Sequence, residues 1–233
     1  MAPLAARSPA LAAELLLVGV AAVWGGTFPV IKTLVGQVSP HTLLALRFTA
    51  AAALLLVPAW PRYASLQPKE RRVLALEGIA LGLCLWAAYF LQTAGLQFTT
   101  ASKAAFLTAL GVVLVPLLGA LLFRYQPAPA TWLGVGVATA GLALLSLPGG
   151  EGWLPSTGDL LVLLAAVAFA LQVLLVDRWG HRHDPLLLTA VELVTVALLS
   201  VPAALTFERF PLRHPWSLWI GLVYLAVPAT ALA

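Results

Sequence analysis

Four charged side chains stand inside long apolar stretches of this sequence. Lys32, Arg47 and Lys103 are cations in three such stretches, and Glu192 is an acid in a fourth. An ionisable group in apolar surroundings is costly, so it tends to mark a ligand site or an ion path. The three cations could attract carboxylates or other anions, and Glu192 could accept a proton or bind a cationic group. These four residues are therefore the first candidates for a binding site.

A structural role is the alternative for each of these charges. Lys32 and Lys103 have side chains long enough to carry their ammonium groups to a nearby polar surface. Arg47, which lies deeper, could do the same, or as a third role it could pair with backbone carbonyls at a point where a helix is broken. Glu192 could form a structural ion pair or hydrogen bond. The residue types alone leave both interpretations open.

Aromatic side chains lie at helical spacing from the first of these cations. Trp24, Phe28 and Lys32 follow one another at intervals of four, so they share one drifting face of a helix. Pro29 removes a backbone hydrogen bond from the same segment, and a flexible, aromatic-lined segment suits a ligand pocket. Core packing is the alternative explanation for this pattern. The predicted substrate-binding residues are Trp24, Thr27, Phe28, Lys32, Arg47, Tyr89, Lys103, Phe106 and Glu192.

The composition indicates which elements must position these residues. Hydrophobic residues make up 61% of the 233 residues and charged residues only 9%, and the mean hydropathy is +0.98. A soluble domain usually has about 25% charged residues because its surface faces water. We therefore predict an all-α polytopic membrane protein, since helices satisfy their own backbone hydrogen bonds in lipid. Cys84 is the single cysteine and no metal-binding spacing is present, so we expect no cofactor and no metal.

Apolar stretches of membrane-crossing length divide the chain. A helix needs about 20 mostly apolar residues to cross the hydrocarbon of a bilayer. Eight stretches qualify, and the eighth runs to the last residue of the sequence. The predicted spans are Leu11–Val35, His41–Trp60, Val73–Thr93, Thr99–Phe123, Thr131–Leu147, Asp159–Val176, Pro185–Phe207 and Trp216–Ala233.

The basic residues of the connecting segments predict an orientation. Eight cations fall in the segments on the same side as the N-terminus, and two fall in the segments on the other side. Cytoplasmic segments carry the excess of lysine and arginine in membrane proteins. We therefore predict a multi-pass protein of the plasma or inner membrane with a cytoplasmic N-terminus. Lys32, Arg47 and Lys103 would then form a basic vestibule in the outer third of the bilayer.

Two parts of the chain resemble each other at an offset of about 145 residues. The segment before the second span resembles the segment before the seventh, and Arg47 then corresponds to Glu192. A unit of five spans is odd, so its second copy must enter the membrane from the opposite face and form an inverted repeat. We predict a first repeat over 11–147 and an incomplete second repeat over 157–233, which lacks about 60 residues by this offset.

Five parts of the sequence carry motifs of a known kind: 24–32, Pro40 with Arg47-Phe48, 101–107, 115–118 and 130–134. They resemble motifs of the EamA family in the drug/metabolite transporter superfamily. The resemblance covers residues 11–233 and is strongest in the first half. It implies ten helices in two five-helix repeats, both termini in the cytoplasm, and the transport of small organic solutes.

The combined features favour a secondary transporter that moves small organic metabolites or drugs by alternating access, rather than an enzyme. An intramembrane enzyme and a passive channel remain alternatives, although the sequence has neither a G-x-S-x-G nor an H-E-x-x-H motif. The expected partners are a small-molecule substrate and the lipid bilayer, without nucleic acid, and a homodimer is left open. We expect His181, His183 and Asp184 to form a solvated loop rather than a metal site.

Overall fold

Helices form the regular structure in the described part of the chain. The computed structural model describes residues 7–123, 127–146, 156–207 and 215–232. A short 3₁₀ turn, Gly180–Arg182, precedes α8, and a π-helical turn, Val227–Ala231, follows α9. The helices are α1 Arg7–Leu34, α2 Pro40–Ser65, α3 Pro68–Gly95, α4 Ala101–Ala109, α5 Gly111–Phe123, α6 Pro129–Ser146, α7 Thr157–Trp179, α8 Pro185–Phe207 and α9 Trp216–Ala226.

The helices have the length and surface of membrane-spanning segments. Among the described residues, six helical segments are long and apolar enough to cross a bilayer, and the shorter apolar segment Trp216–Ala231 follows them. Large apolar side chains lie exposed along the bundle, and Val57 and Leu121 are each 77% exposed. A surface of this kind is suited to lipid rather than to water. The predicted class, an all-α polytopic membrane protein, is confirmed.

Several of the predicted spans differ from the observed helices. The second predicted span ends at Trp60, whereas α2 continues through Pro61 to Ser65. Proline interrupts one helical hydrogen bond but is tolerated in membrane helices. The fourth predicted span is divided at Leu110, whose carbonyl accepts a tight i−3 bond of 2.9 Å from the N–H of Val113. Such a 3₁₀ contact marks a local break in a helix.

Hydroxyl side chains determine where three of the helices begin. Ser39, Thr100 and Ser156 precede α2, α4 and α7, and each accepts a hydrogen bond from a backbone N–H in the first turn. At α7 the carboxylate of Asp159 accepts a bond of 2.9 Å from the N–H of Ser156, which completes a capping box. These caps fix the chain at the ends of helices that carry candidate site residues.

Antiparallel packing relates the early helices to the late ones. Arg62, near the end of α2, binds Asp184, which directly precedes α8, so these two helices run in opposite directions. Gly95, at the end of α3, lies against Gly158, at the start of α7, so this pair is also antiparallel. The four helices α2, α3, α7 and α8 form the centre of the bundle.

Glycines allow α3 and α8 to pack closely. A Cβ atom added at Gly78 would lie 2.6 Å from Cγ1 of Val191, and one added at Gly82 would lie 2.5 Å from Cβ of Thr195. Small residues at such crossings stabilise helix pairs in lipid, because they let the backbones approach. The contact holds α8 in register with α3, and with it the intervening Glu192.

An apolar cluster joins α2 to α8 in the middle of the bundle. Three aromatic residues of α3, Trp86, Tyr89 and Phe90, pack against this cluster. Two candidate charges adjoin its members in the chain, since Arg47 precedes Phe48 and Glu192 precedes Leu193. The buried members are Leu44, Phe48, Ala51, Ala52, Leu193, Val196 and Ala197.

Candidate functional site

Arg47 is buried, with only 3% of its surface exposed. Its Nε donates to the hydroxyl of Thr230 at 2.8 Å, and one terminal nitrogen donates to the carbonyl of Ala229 at 3.5 Å. The guanidinium carbon lies 4.6 Å from the centre of the Tyr89 ring and 5.2 Å from that of Phe48. A cation over aromatic faces is stabilised by their negative charge distribution. Arg47 therefore joins α2 and α3 to the last helical turn of the described chain.

The acceptors of Arg47 lie at a break in the last helix. Regular α-helix ends at Ala226, and Pro228 has no N–H with which to continue the hydrogen-bond pattern. The chain then forms a π-helical turn, in which the hydroxyl of Thr230 donates to the carbonyl of Leu225 at 2.7 Å. Thr230 thus satisfies a carbonyl of the broken helix and accepts from Arg47 at the same time. Pairing at a helix break is the third role considered for Arg47 from sequence.

A series of side chains on α2, α3, α7 and α8 leads from Arg47 to Glu192. The ring of Tyr89 lies edge-on to that of Phe169, with 5.1 Å between their centres. Gln172 follows Phe169 by about one helical turn of α7 and donates to the carboxylate of Glu192 at 3.4 Å. We call these five residues the Arg47–Glu192 path. It crosses from α2 and α3 to α7 and α8, and so links three of the predicted site residues.

The two charges of the path lie at different depths. Arg47 stands seven residues into α2 and Glu192 seven residues into α8, or about 10 Å from the start of each helix at 1.5 Å per residue. Because α2 and α8 are antiparallel, these two starting points lie at opposite ends of the bundle. The path therefore runs along the bundle as well as across it. Glu192 is 6% exposed, so Arg47 and Glu192, the two ends of the path, are both buried.

A separate pocket contains the two lysines. Its volume is about 320 Å³. The Nζ atom of Lys32, one of the lining residues, donates to the carbonyl of Leu96 at 2.7 Å. We call it the lysine pocket. Arg47 is not among its lining residues, so the three cations predicted for one vestibule occupy two places. The lining residues are Lys32, Gln97, Phe98, Thr99, Thr100, Lys103 and Ser156.

Asp159 supports the wall of the lysine pocket. It is only 9% exposed, and its carboxylate accepts a short hydrogen bond from the hydroxyl of Thr99. The same carboxylate caps α7 through the N–H of Ser156. Asp159 thereby ties the connection between α3 and α4 to the start of α7, which fixes both sides of the pocket.

The aromatic stripe predicted on α1 does not face one site. Trp24 is 51% exposed, whereas the hydroxyl of Thr27 is buried and donates to the carbonyl of Trp24 at 2.6 Å. Phe28 is partly buried against an apolar cluster formed with α9, and Lys32 reaches the lysine pocket. Phe106 is partly buried on α4. The spacing of four identifies a common helix face, but the stripe drifts past several different neighbours.

Three residues that belong to the Arg47–Glu192 path or contact Arg47 were not among the site residues predicted from the sequence. They are Phe169, Gln172 and Thr230, which lie in α7 and in the π-helical turn. A signal existed for two of them. Gln172 is a polar side chain in a long apolar run, and Thr230 follows a proline in another. Polar residues and prolines at membrane depth commonly accompany functional breaks.

Ion pairs join the helix connections at the opposite end of the bundle, which we call the ion-pair end. Arg62 binds Asp184 at 2.7 Å, and Glu77 binds both Arg182, at 3.1 Å, and His183, at 2.6 Å. The hydrogen bond from Arg62 lowers the pKa of Asp184. These contacts tie the end of α2 and the first half of α3 to the connection between α7 and α8. Within the described ranges no cluster of His, Cys, Asp and Glu could hold a metal ion.

Comparison with known proteins gives consistent matches. The model of the EamA-like transporter family matches residues 11–147 and 156–233. An "Uncharacterized transporter" of Archaeoglobus fulgidus is 29% identical over 206 residues, which cover 87% of this chain and 61% of that protein. "Uncharacterized transporter YvbV" of Bacillus subtilis is 26% identical and is matched over 66% of its length. The chain thus spans slightly less than two thirds of these relatives.

Two further proteins are similar to this chain, one in sequence and one in structure. Solute carrier family 35 member F6 of Mus musculus is 28% identical over 134 residues, which cover 52% of this chain and 36% of that protein. One crystal structure superposes with a TM-score of 0.62 at 22% identity, over 92% of this chain and 76% of the other, and therefore shares its fold. Because the family model matches most of the sequence, this chain belongs to the EamA-like transporter family and is a multi-pass membrane protein.

Proposed function

We propose that this protein is a secondary transporter of small organic solutes that works by alternating access. The Arg47–Glu192 path is the observation that carries the proposal. Its two ends are a basic and an acidic side chain, both buried at membrane depth, and its middle consists of aromatic and amide side chains. Ionisable residues inside a membrane bundle characteristically mark a route for substrate or ions. Membership of a transporter family supports the same function.

The helix directions support an inverted repeat as the basis of this mechanism. We propose one repeat over 11–147 and a second over 157–233. The corresponding helices α2 and α8 run in opposite directions, as inversion requires. In such proteins the substrate site lies between the repeats near the middle of the membrane, and broken helices contribute to it. The π-helical turn at Val227–Ala231, which binds Arg47, is a break of this kind.

The proposed orientation puts the lysine pocket outside the cell and the ion-pair end in the cytoplasm. Lys69, Arg71 and Arg72 lie at the start of α3, beside the ion-pair end. A cytoplasmic position for these cations agrees with the excess of basic residues on that side of membranes. The lysine pocket would then meet solutes that arrive from outside.

Counterflow measurements test the proposed function. Purified protein is reconstituted into liposomes loaded with a metabolite extract, and released solutes are identified by mass spectrometry. For a transported solute, we expect unlabelled solute inside the liposomes to accelerate uptake of the labelled form at least about threefold, because alternating access exchanges one molecule for another. Equal uptake with and without internal solute would indicate a channel, and chemical conversion of the solute would indicate an enzyme.

Lys103→Ala is expected to slow uptake of anionic solutes from outside several-fold at low salt, with a smaller effect at high salt. Two lysines lining one pocket raise the local concentration of anions, and salt screens this attraction. Initial uptake rates in right-side-out vesicles at two ionic strengths measure it. Lys69→Ala is the matched control, since Lys69 is exposed near the ion-pair end. A rate loss that does not change with salt would contradict an electrostatic role for Lys103.

A further inference from the structure

We infer that Arg47 binds a carboxylate of the transported solute, and that this carboxylate displaces the acceptors at the break after α9. The inference rests on the proposed function and names its substrate class as organic carboxylates with an aromatic or apolar body. It joins three observations: the charge balance around Arg47, the geometry of its guanidinium, and the neighbouring aromatic residues.

The charge of Arg47 has no acidic partner in the described part of the chain. No described aspartate or glutamate has a carboxylate oxygen within 4.0 Å of the Arg47 guanidinium, which is the limit for an ion pair. The hydrogen-bond acceptors of Arg47 are a hydroxyl and a carbonyl. A buried cation without a counter-charge is unfavourable, even when its donors are satisfied by neutral groups. Binding of an anion at this position would remove that cost. The electrostatics of the site therefore favour an anionic ligand over a neutral one.

The guanidinium of Arg47 is prepared for a carboxylate. It has five N–H donors in a planar fork, which matches the two oxygens of a carboxylate. The bond to Ala229 is 3.5 Å long, at the outer limit of a hydrogen bond. Hydrogen bonds to an ionised acceptor are roughly twice as strong as those between neutral groups. A carboxylate should therefore replace Ala229 and Thr230, while the Tyr89 ring holds the fork in place.

Displacement of these acceptors would couple binding to the last helix. Thr230 lies on the π-helical turn, and its hydroxyl also donates to the carbonyl of Leu225 in α9. When Arg47 turns to a ligand, the turn loses its hydrogen bonds to α2. A ligand can shift a conformational equilibrium only through such differential contacts. The bond between Arg47 and Thr230 is thus a contact made in the unliganded state and lost in the liganded state.

The aromatic residues of α3 indicate the remainder of the ligand. The rings of Trp86 and Phe90 are stacked, with 5.6 Å between centres, against the same cluster that receives Tyr89. The indole Nε1 of Trp86 is buried and has no hydrogen-bond acceptor among the described residues. A ligand with an aromatic or apolar body and a further acceptor oxygen would complement this surface.

Binding to a matched pair of probes tests the inference. The probes are 3-phenylpropionate and its neutral amide, 3-phenylpropanamide, which have nearly the same shape. Affinities come from the thermal stabilisation of purified protein in detergent over a range of probe concentrations. We expect wild-type protein to bind the carboxylate at least about tenfold more tightly than the amide, and Arg47→Gln to lose this preference. Arg62→Gln is the control, because that arginine is exposed at the ion-pair end.

Thr230→Val is expected to change the affinity for the carboxylate in the direction opposite to Arg47→Gln. Removal of the competing hydroxyl should raise the affinity for the carboxylate about threefold, although the protein itself becomes less stable because Leu225 loses a partner. A merely structural contact between Arg47 and Thr230 would produce no such gain. If Arg47→Gln does not fold, Arg47→Lys replaces it, and it should retain less than half of the preference because lysine lacks the planar fork.

Three results would overturn the inference. The first is an absence of preference in the wild-type protein, whether it binds both probes equally or neither. The second is a preference that persists in Arg47→Gln, and the third is unchanged or weaker binding in Thr230→Val. Because binding is measured in detergent, these results are independent of counterflow. Carboxylate binding without counterflow would reject the transporter, and counterflow without carboxylate preference would reject only the substrate class.

Discussion

Gly158→Ala is expected to lower the free energy of unfolding by about 1–3 kcal/mol, the usual cost of an oversized residue in a packed core. An added Cβ at Gly158 would lie 2.6 Å from the carbonyl oxygen of Gly95, 2.7 Å from the carbonyl carbon of Phe98 and 2.8 Å from the nitrogen of Thr99. All three are backbone atoms, so no side-chain rotation can relieve the contact. The end of α3 and the start of α7 would have to separate.

Thermal unfolding of the purified protein in detergent measures this loss. Gly134→Ala is the matched control, because an added Cβ there meets no atom within 4 Å. Alanine is also the better helix former, so that variant should be neutral or slightly more stable. A second effect should accompany Gly158→Ala. Since Thr99 and Ser156 line the lysine pocket, uptake that depends on Lys103 should fall as well. Equal melting temperatures of the two alanine variants would disprove the close backbone contact.

Apolar length and charge predict most of the architecture because lipid imposes simple rules. A span must be apolar over the thickness of the bilayer, so α8 is found at Pro185–Phe207, where hydropathy predicts it. Charged residues within such spans are conspicuous for the same reason. The sequence therefore identifies Arg47 and Glu192 as charged residues inside spans, and both side chains are buried. Both facts depend on the neighbours of a residue along the chain, which the sequence contains.

Tertiary partners depend on how helices meet, which spacing along one helix does not determine. Thr230 lies 183 residues from Arg47 in the chain, and no local pattern connects them. The last apolar stretch reads as a continuous span, but Pro228 interrupts it where Arg47 binds the carbonyl of Ala229. Trp24 illustrates the same limit, since its place in the helical stripe does not show that helix packing leaves its ring half exposed. Hydropathy gives the depth of a residue, and helix packing decides what it contacts.

Glu192→Gln is expected to reduce uptake driven by a proton gradient at least about tenfold, because a group that carries a proton must be able to release it. Glu192 is buried at membrane depth, and its hydrogen bond comes from the neutral amide of Gln172. Among the described residues this amide is the hydrogen-bond partner of Glu192, and an ionised carboxylate without a counter-charge is unfavourable in an apolar bundle. We therefore expect it to ionise when one side opens to water and to be protonated when the site closes. Glutamine keeps the shape and the hydrogen bond but cannot titrate.

The decisive comparison is between gradient-driven uptake and exchange at equal pH. If Glu192 carries the coupling proton, Glu192→Gln should lose the first and retain the second, since exchange needs no net proton movement. Glu70→Gln is the matched control, because Glu70 is exposed and glutamine can replace it in the capping box at the start of α3. Loss of both activities would make Glu192 a structural or substrate-binding group. Normal gradient-driven uptake would exclude it as the proton carrier, so the side chain that titrates would have to lie elsewhere along the bundle.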